Sequence, residues 1–553
     1  MLHSPTIPPL NRPSIRLRAP RGLAPLLLAL AVFCTQAHAQ SVPDPSTDAA
    51  VAAAIAAAQR GEPVAATAAL RADPRWPWIE YARLARDLDK ADAAEVRAFL
   101  QRYDGQAVAS SLRPLWLASL SRRKQWNDLL ADWRPVEDLG LRCARLNALH
   151  ELGRHGPDWN SEAQAIWRKG ESLPDACDPV FTALSQRGGL DTALRWERFD
   201  LAVEAGQAGV MRAIARGLPE AERKLAEDYV GFLQAPHGRA LQWPRDARSR
   251  KVAAAGLATL ARNDPDAAER QLAQLGPALQ LGEAERGKVL YQVALWTVAS
   301  YLPDSARRLA AVPASAYDER LHEWRVREAM ARGDWSGALA ALRLMPARQR
   351  GDSRWQWFEA RMLEKTGKAA EARALMAQAA RSPTFHGFLA ADRLAQPYAL
   401  CPWKPAEQPG LRAEVARDPA LVRALSLYRI NQASWATREW NEALGRFDDA
   451  RRRIAVALAQ DHGWFDRAVF SLGRIPEEQR MYELRFPLHH DADIRAAAKR
   501  NGLDPAWIAA EIRAESIFNP KARSQANARG LMQLLPTTAA GVARRTGLPY
   551  DGA

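Results

Sequence analysis

At 553 residues the chain has room for about three domains. Its 25% charged and 48% apolar residues exclude a disordered or low-complexity protein. Alanine is about one residue in five and β-branched residues are sparse, which argues against a sheet-rich fold. The formal net charge of +14 becomes +10 once the four arginines within residues 1–39 are set aside.

Residues 1–39 read as a secretory signal peptide. Arg12, Arg16, Arg18 and Arg21 stand there without an acid, an apolar run follows from Leu23 to Phe33, and Ala37-His38-Ala39 precedes Gln40. Cleavage is expected after Ala39. The apolar run is too short to span a bilayer, and Phe33 is too bulky to precede a lipid-bearing Cys34. Export turns the basic charge away from nucleic acid and towards wall, membrane surface or polysaccharide; the alternative is a plain basic surface. Stable membrane insertion is not expected. In an oxidising compartment Cys143 and Cys177, 34 positions apart, are the expected disulfide, against three buried thiols as the alternative. Cys401 is unpaired either way.

From Asp48 to about Leu394 short amphipathic helices alternate with Gly, Pro or Asp breaks. One helical hairpin spans Arg354 to Ala380, turning at Thr366-Gly367, with Trp357, Ala360 and Leu363 then Ala372, Leu375 and Ala379 at helical spacing. Another helix starts at Gly333-Asp334 and ends at Pro346, and similar pairs occupy 141–169 and 253–275. The pattern has no strict period, so the expectation is an all-α, irregular α-solenoid over 40–408. Pro397, Pro402, Pro405 and Pro409 then break the helical text. A small helical linker domain is expected over 409–480, with Trp435, Trp440 and Trp464, and a third domain over 481–553.

Nucleotide-binding, nucleophile-elbow and zinc-protease motifs are absent from the sequence. His489, His490, Asp491 and Asp493 have a metal-ligand look, but adjacent histidines diverge and a solvated loop is the better reading, so neither metal nor organic cofactor is expected. The informative stretch is Asp504 to Thr538, DPAWIAAEIRAESIFNPKARSQANARGLMQLLPTT. Asp504 suits an N-cap and Pro505 the first turn of a helix that ends at Ser516, before Asn519-Pro520. Ile508, Ile512 and Glu515 fall within about 60° of each other, so Glu515 is expected on the apolar face, where desolvation would favour the protonated form a general acid needs. The bland alternative is a buried pair with Arg513 or Arg529. Glu511 lies on the flank of the same stripe. A polar loop with Ser524, Gln525 and Asn527 leads to Gly530-Leu531-Met532-Gln533, suited to sugar hydroxyl and N-acetyl groups. Glycosidases ordinarily use two carboxylates, yet neither Asp nor Glu occurs between Glu515 and Asp551, which fits a one-carboxylate mechanism.

The run ES-x-FNP-x-A-x-S followed by ARGLMQL-x-P-x-TA resembles the soluble lytic murein transglycosylases, and WPWIEYARL, the Cys143/Cys177 pair and ELRFPL look like landmarks of the same family. The resemblance implies a superhelical ring, a helical linker and a lysozyme-like catalytic domain. It maps the catalytic glutamate to Glu515, the saccharide groove to Ser524, Gln533 and Met532, and the structural part of the motif to Ser516, Asn519, Pro520 and Gly530. It implies cleavage of peptidoglycan without water, leaving 1,6-anhydro-muramic ends. A hydrolytic muramidase and a non-catalytic wall-binding scaffold are the alternatives. Glycan strands are the implied partner, with other cell-wall enzymes as further ones, and a monomer is expected. A groove position often occupied by methionine is Leu535 here. The 73 residues from Met481 are about half a lysozyme-like domain, without the family's A-Y-N-A-G segment and groove tyrosines. The expectation is therefore a catalytic domain cut short and inactive by itself.

Overall fold

The computed structural model describes residues 42–551. The signal-peptide reading and its cleavage site lie outside the described residues. Within them, thirty-one α-helices and five short 3-10 helices follow one another without a strand, as the all-α expectation required.

Local sequence explains the punctuation. Helix after helix begins on an aspartate whose carboxylate accepts the N–H three residues on: Asp138, Asp191, Asp246, Asp318, Asp334 and Asp418. Each such cap satisfies a backbone donor the helix leaves open and contributes about 1 kcal/mol. The expected hairpin appears as Ser353–Lys365 against Ala369–Ala379, with Ala360, Leu363, Ala372 and Ala379 buried. Tryptophans fill the gaps between pairs and find partners for their indole N–H. Trp159 donates to the Leu146 carbonyl at 2.8 Å and Trp167 to that of Leu194 at 3.2 Å.

The expected disulfide is present. Cys143 and Cys177 are both fully buried, their Cα atoms 4.9 Å apart, and they tie the Leu139–Glu151 helix to the Asp175–Cys177 turn. Cys401 is free and exposed.

After residue 395 the helical text stops and resumes at Pro409–Val415. The helices Pro419–Arg429 and Ala433–Arg446 do not simply extend the solenoid. They share one hydrophobic core with its first helices, running from Val51 to Ala148 and from Val415 to Met481. Trp78 stacks on Trp435 with ring centroids 4.9 Å apart, and Asp48 receives both Arg75 and Arg429. The start of the solenoid is thereby joined to the helical segment that follows it.

The last region carries a separate small core. Ile494 of the Asp491–Asn501 helix, Ile512 of Pro505–Ser516 and Phe518 are buried together, with Phe465, Ile508, Ala509 and Leu531 against them. Phe465 comes from the preceding helical segment and seats this region on it.

Candidate active site

The Pro505–Ser516 helix starts as its sequence dictates: Asp504 accepts the N–H of Ala506 at 2.8 Å and Pro505 occupies the first turn. Its end is more unusual. Ile517 and Phe518 take left-handed conformations in succession, with φ of 53° and 57°. Non-glycine residues enter that region at a cost of about 1–3 kcal/mol each, and burial of the Phe518 ring at 2% exposure offsets it. Asn519 finishes the turn, its N–H on the Ser516 carbonyl at 3.0 Å and its side-chain oxygen on the N–H of Lys521 at 2.9 Å. Ser516 is buried and donates its hydroxyl to the Ile512 carbonyl at 3.0 Å, which makes it a helix-end residue and not a nucleophile.

Glu515 does not lie on the buried face. The buried stripe runs through Ile512 and Ser516, with Ile508 and Ala509 half-buried beside them, so its centre is displaced from the Ile508–Glu515 line by part of a turn. Glu515 falls on the solvent-exposed edge and has neither ion pair nor hydrogen bond among the described residues. The alternative, a pair with Arg513, is absent because Arg513 turns away. Its Nε donates to the Arg485 carbonyl at 3.0 Å and its guanidinium lies 4.3 Å from the Phe486 ring centroid. Burial and the neighbouring Arg485 press its pKa below the usual arginine value. That contact was not foreseen; its sequence signal was ELRFPL itself, which supplies both Arg485 and Phe486.

The loop after the helix is held by its own hydrogen bonds. Gly530, at φ +75°, donates to the Ala522 carbonyl at 3.0 Å, and Arg529 exchanges two backbone bonds with Leu534. The Gln533 amide nitrogen donates to the carbonyls of Ala522 at 3.1 Å and Gly530 at 3.0 Å, so its Oε1 is the atom left for a ligand. Ser524 accepts the N–H of Ala528 at 3.0 Å through its hydroxyl oxygen, which leaves the hydroxyl hydrogen to donate outward. Leu531 joins Ile512 and Phe518 in the small core, so the loop folds back onto the helix that carries Glu515. Met532 and Leu535 are exposed, as is Trp507 at 63%. In the histidine cluster, Asp491 pairs with Arg495 at 2.7 Å and His489 lies against Phe465.

Two family models match this chain: the soluble lytic murein transglycosylase L domain over residues 414–476 and the transglycosylase SLT domain over 493–553. The soluble lytic murein transglycosylase of Escherichia coli K12 is 26% identical over 494 residues, covering 86% of this chain and 74% of the relative. The crystal structure of the 70 kDa enzyme from Escherichia coli superposes with a TM-score of 0.78 at 24% identity, over 88% of this chain and 79% of that one. An inactive glutamate-to-glutamine mutant of the lytic transglycosylase Slt from Pseudomonas aeruginosa gives a TM-score of 0.73 at 30% identity, over 90% and 82%. The chain belongs to the soluble lytic murein transglycosylase family. In this family member the SLT match begins at residue 493, on the Asp491–Asn501 helix, and includes Glu515 and the whole loop after it.

Proposed function

We propose that this chain is an exported, periplasmic lytic transglycosylase in which Glu515 is both acid and base. The observation that carries the reading is the lone, unpaired carboxylate at the end of the Pro505–Ser516 helix, beside a self-braced polar loop free of acids. A glycosidase of the usual kind places its two carboxyls on either side of the scissile bond. Glu511, one turn before Glu515, projects from nearly the same side of the same helix and cannot take the opposite face of a sugar ring. The Pseudomonas relative, inactive with a single glutamate changed to glutamine, accords with chemistry on one carboxylate.

The chemistry then closes without water. Glu515 gives its proton to the glycosidic oxygen between N-acetylmuramic acid and N-acetylglucosamine, and the bond from that oxygen to muramic C1 breaks. N-acetylglucosamine leaves with its C4 hydroxyl. The carboxylate takes the proton of the muramic C6 hydroxyl while O6 closes onto C1, giving the 1,6-anhydro ring and restoring the acid. Since Glu515 is exposed, the glycan laid across it excludes the water that the protein alone does not. Ser524 donates to a sugar oxygen, Gln533 accepts from a hydroxyl or acetamido N–H through Oε1, and Met532 offers an apolar wall.

Digestion of purified peptidoglycan with the full-length protein, read by product mass, tests the reading. Products ending in 1,6-anhydro-muramic acid are expected. Reducing muramic ends would make the protein a hydrolase, and absence of cleavage would make it a scaffold.

A further inference from the structure

Six arginines among the described residues are about nine-tenths buried or more: Arg75, Arg198, Arg308, Arg423, Arg452 and Arg467. Five of them hold a carboxylate, from Asp48 and Asp73 on Arg75 to Asp466 on Arg467. Arg198 alone among them forms no ion pair. A guanidinium withdrawn from water without a counter-charge is expensive, and burial holds its pKa down to about 10, with Asp178 pulling weakly the other way. The group is oriented with care all the same. It lies 4.3 Å from the Trp167 ring centroid and 5.6 Å from that of Phe181, while Nε donates to the Lys169 carbonyl at 3.0 Å and Nη2 to that of Glu171 at 3.4 Å. Nη1 meets no acceptor among the described residues.

Arg198 lines a cavity of about 690 Å³, within the range of small-molecule sites. Trp167 and Phe181 form apolar wall. Thr182, Ser185 and Gln207 add hydroxyl and amide groups, and Arg195 brings a second cation, fixed to the Ser185 hydroxyl at 3.0 Å. Asp178, exposed at the edge, is the opposing charge. Two arginines with amide and hydroxyl groups beside aromatic rings suit a planar carboxylate at the end of a peptide, which a guanidinium meets through parallel hydrogen bonds.

We infer that this cavity binds the carboxylate of a short peptide, anchored on Arg198 and Arg195. The choice of a peptidoglycan stem peptide as the source rests on the proposed function; the anion site itself does not.

Calorimetry on the full-length protein with the free tetrapeptide L-alanyl-γ-D-glutamyl-meso-diaminopimelyl-D-alanine tests it. Saturable binding is expected, weakened about tenfold or more by full amidation of the peptide and by Arg198→Gln. Arg198 is buried, so Ala213→Trp, a change at an exposed position lining the cavity, gives the same loss without touching the core. No saturable heat, equal binding of the amidated peptide, or full binding by Ala213→Trp would each overturn the site, and inorganic phosphate binding as tightly as the peptide would make it a free-anion site instead. Anhydro ends released without peptide binding refute this inference and leave the lyase reading intact. Peptide binding without anhydro ends does the reverse.

Discussion

The Trp78 indole donates its N–H to Oε1 of Glu439 at 2.7 Å, a bond that joins residues 361 positions apart. Arg423 brings its Nε within 2.9 Å of the same oxygen, and both charged groups are buried. Burial pushes the Glu439 carboxyl above the ordinary glutamate value, and the pull of Arg423 and of Trp78 does not cancel it. Removing the acid leaves buried Arg423 with only the Glu442 carboxylate, 3.9 Å away, as counter-charge. Glu439→Ala should therefore cost about 3–5 kcal/mol and Trp78→Phe about 1–3 kcal/mol, read as shifts of the urea midpoint. Because the folded pKa is raised, Glu439's contribution is fullest below the ordinary glutamate value and falls as pH rises through the raised one.

Glu269 should behave in the opposite sense. Hydrogen bonds from Arg307 and then Arg308, against some burial, hold its carboxyl down to about 2. A depressed folded pKa gives stability that is present above the ordinary glutamate value and lost as pH falls towards the folded one. The melting-temperature gap between the wild type and Glu269→Gln should accordingly narrow between about pH 4.5 and pH 2. A constant gap would show that the arginines do not favour the ionised form.

In the full-length protein Glu515→Gln should abolish anhydro-product release, a loss beyond the ~10²–10⁴ of a single proton transfer because both the acid and the base role go. Glu515 is exposed and unpaired, so the unfolding free energy should stay within the ~0.5 kcal/mol typical of surface changes. Wild-type turnover by this variant would remove Glu515 from the mechanism.

Gln533→Glu is isosteric but loses the two N–H groups that fasten Gly530 and Ala522. It also sets a carboxylate beside two carbonyl oxygens. Each carbonyl keeps one backbone donor, but loss of the two side-chain hydrogen bonds should cost about 1–3 kcal/mol and loosen the 522–534 loop, visible as faster amide exchange at Gly530 and Arg529. Unchanged exchange would mean that the glutamine does not brace the loop.

The Cys143–Cys177 bridge closes a loop across 34 positions. On the loop-entropy estimate its removal should cost about 3–4 kcal/mol, measured by urea unfolding of the Cys143→Ala/Cys177→Ala protein. A loss below about 1 kcal/mol would mean that the reduced chain is already ordered there.

What the sequence disclosed follows from how local each determinant is. Helices capped by aspartate, the turn at Thr366-Gly367 and the proline break before residue 409 depend on neighbours a few positions apart, and they stand where expected. The disulfide was readable from compartment and spacing. Glu515 was read correctly in position along the helix but not around it, since a displacement of part of a turn moves a residue from buried to exposed and depends on which elements pack above. Phe518 decides that, and its left-handed backbone has no simple sequence signal. Contacts such as Trp78 with Glu439, or Arg198 with Trp167, join distant helices and leave no periodicity to read.

An open solenoid comes apart unit by unit, each leaning only on its neighbours. Here the first helices are clasped to the helical segment that follows the solenoid, through Trp78, Trp435 and Glu439, so the first unit is not free to fray. That clasp also makes the covalent backbone redundant at one point. Nicked in the turn at 300–304, the molecule would remain a single particle, its two chains held by the seam and by the packing across the cut. The same two pieces, expressed separately, would find each other and rebuild the whole.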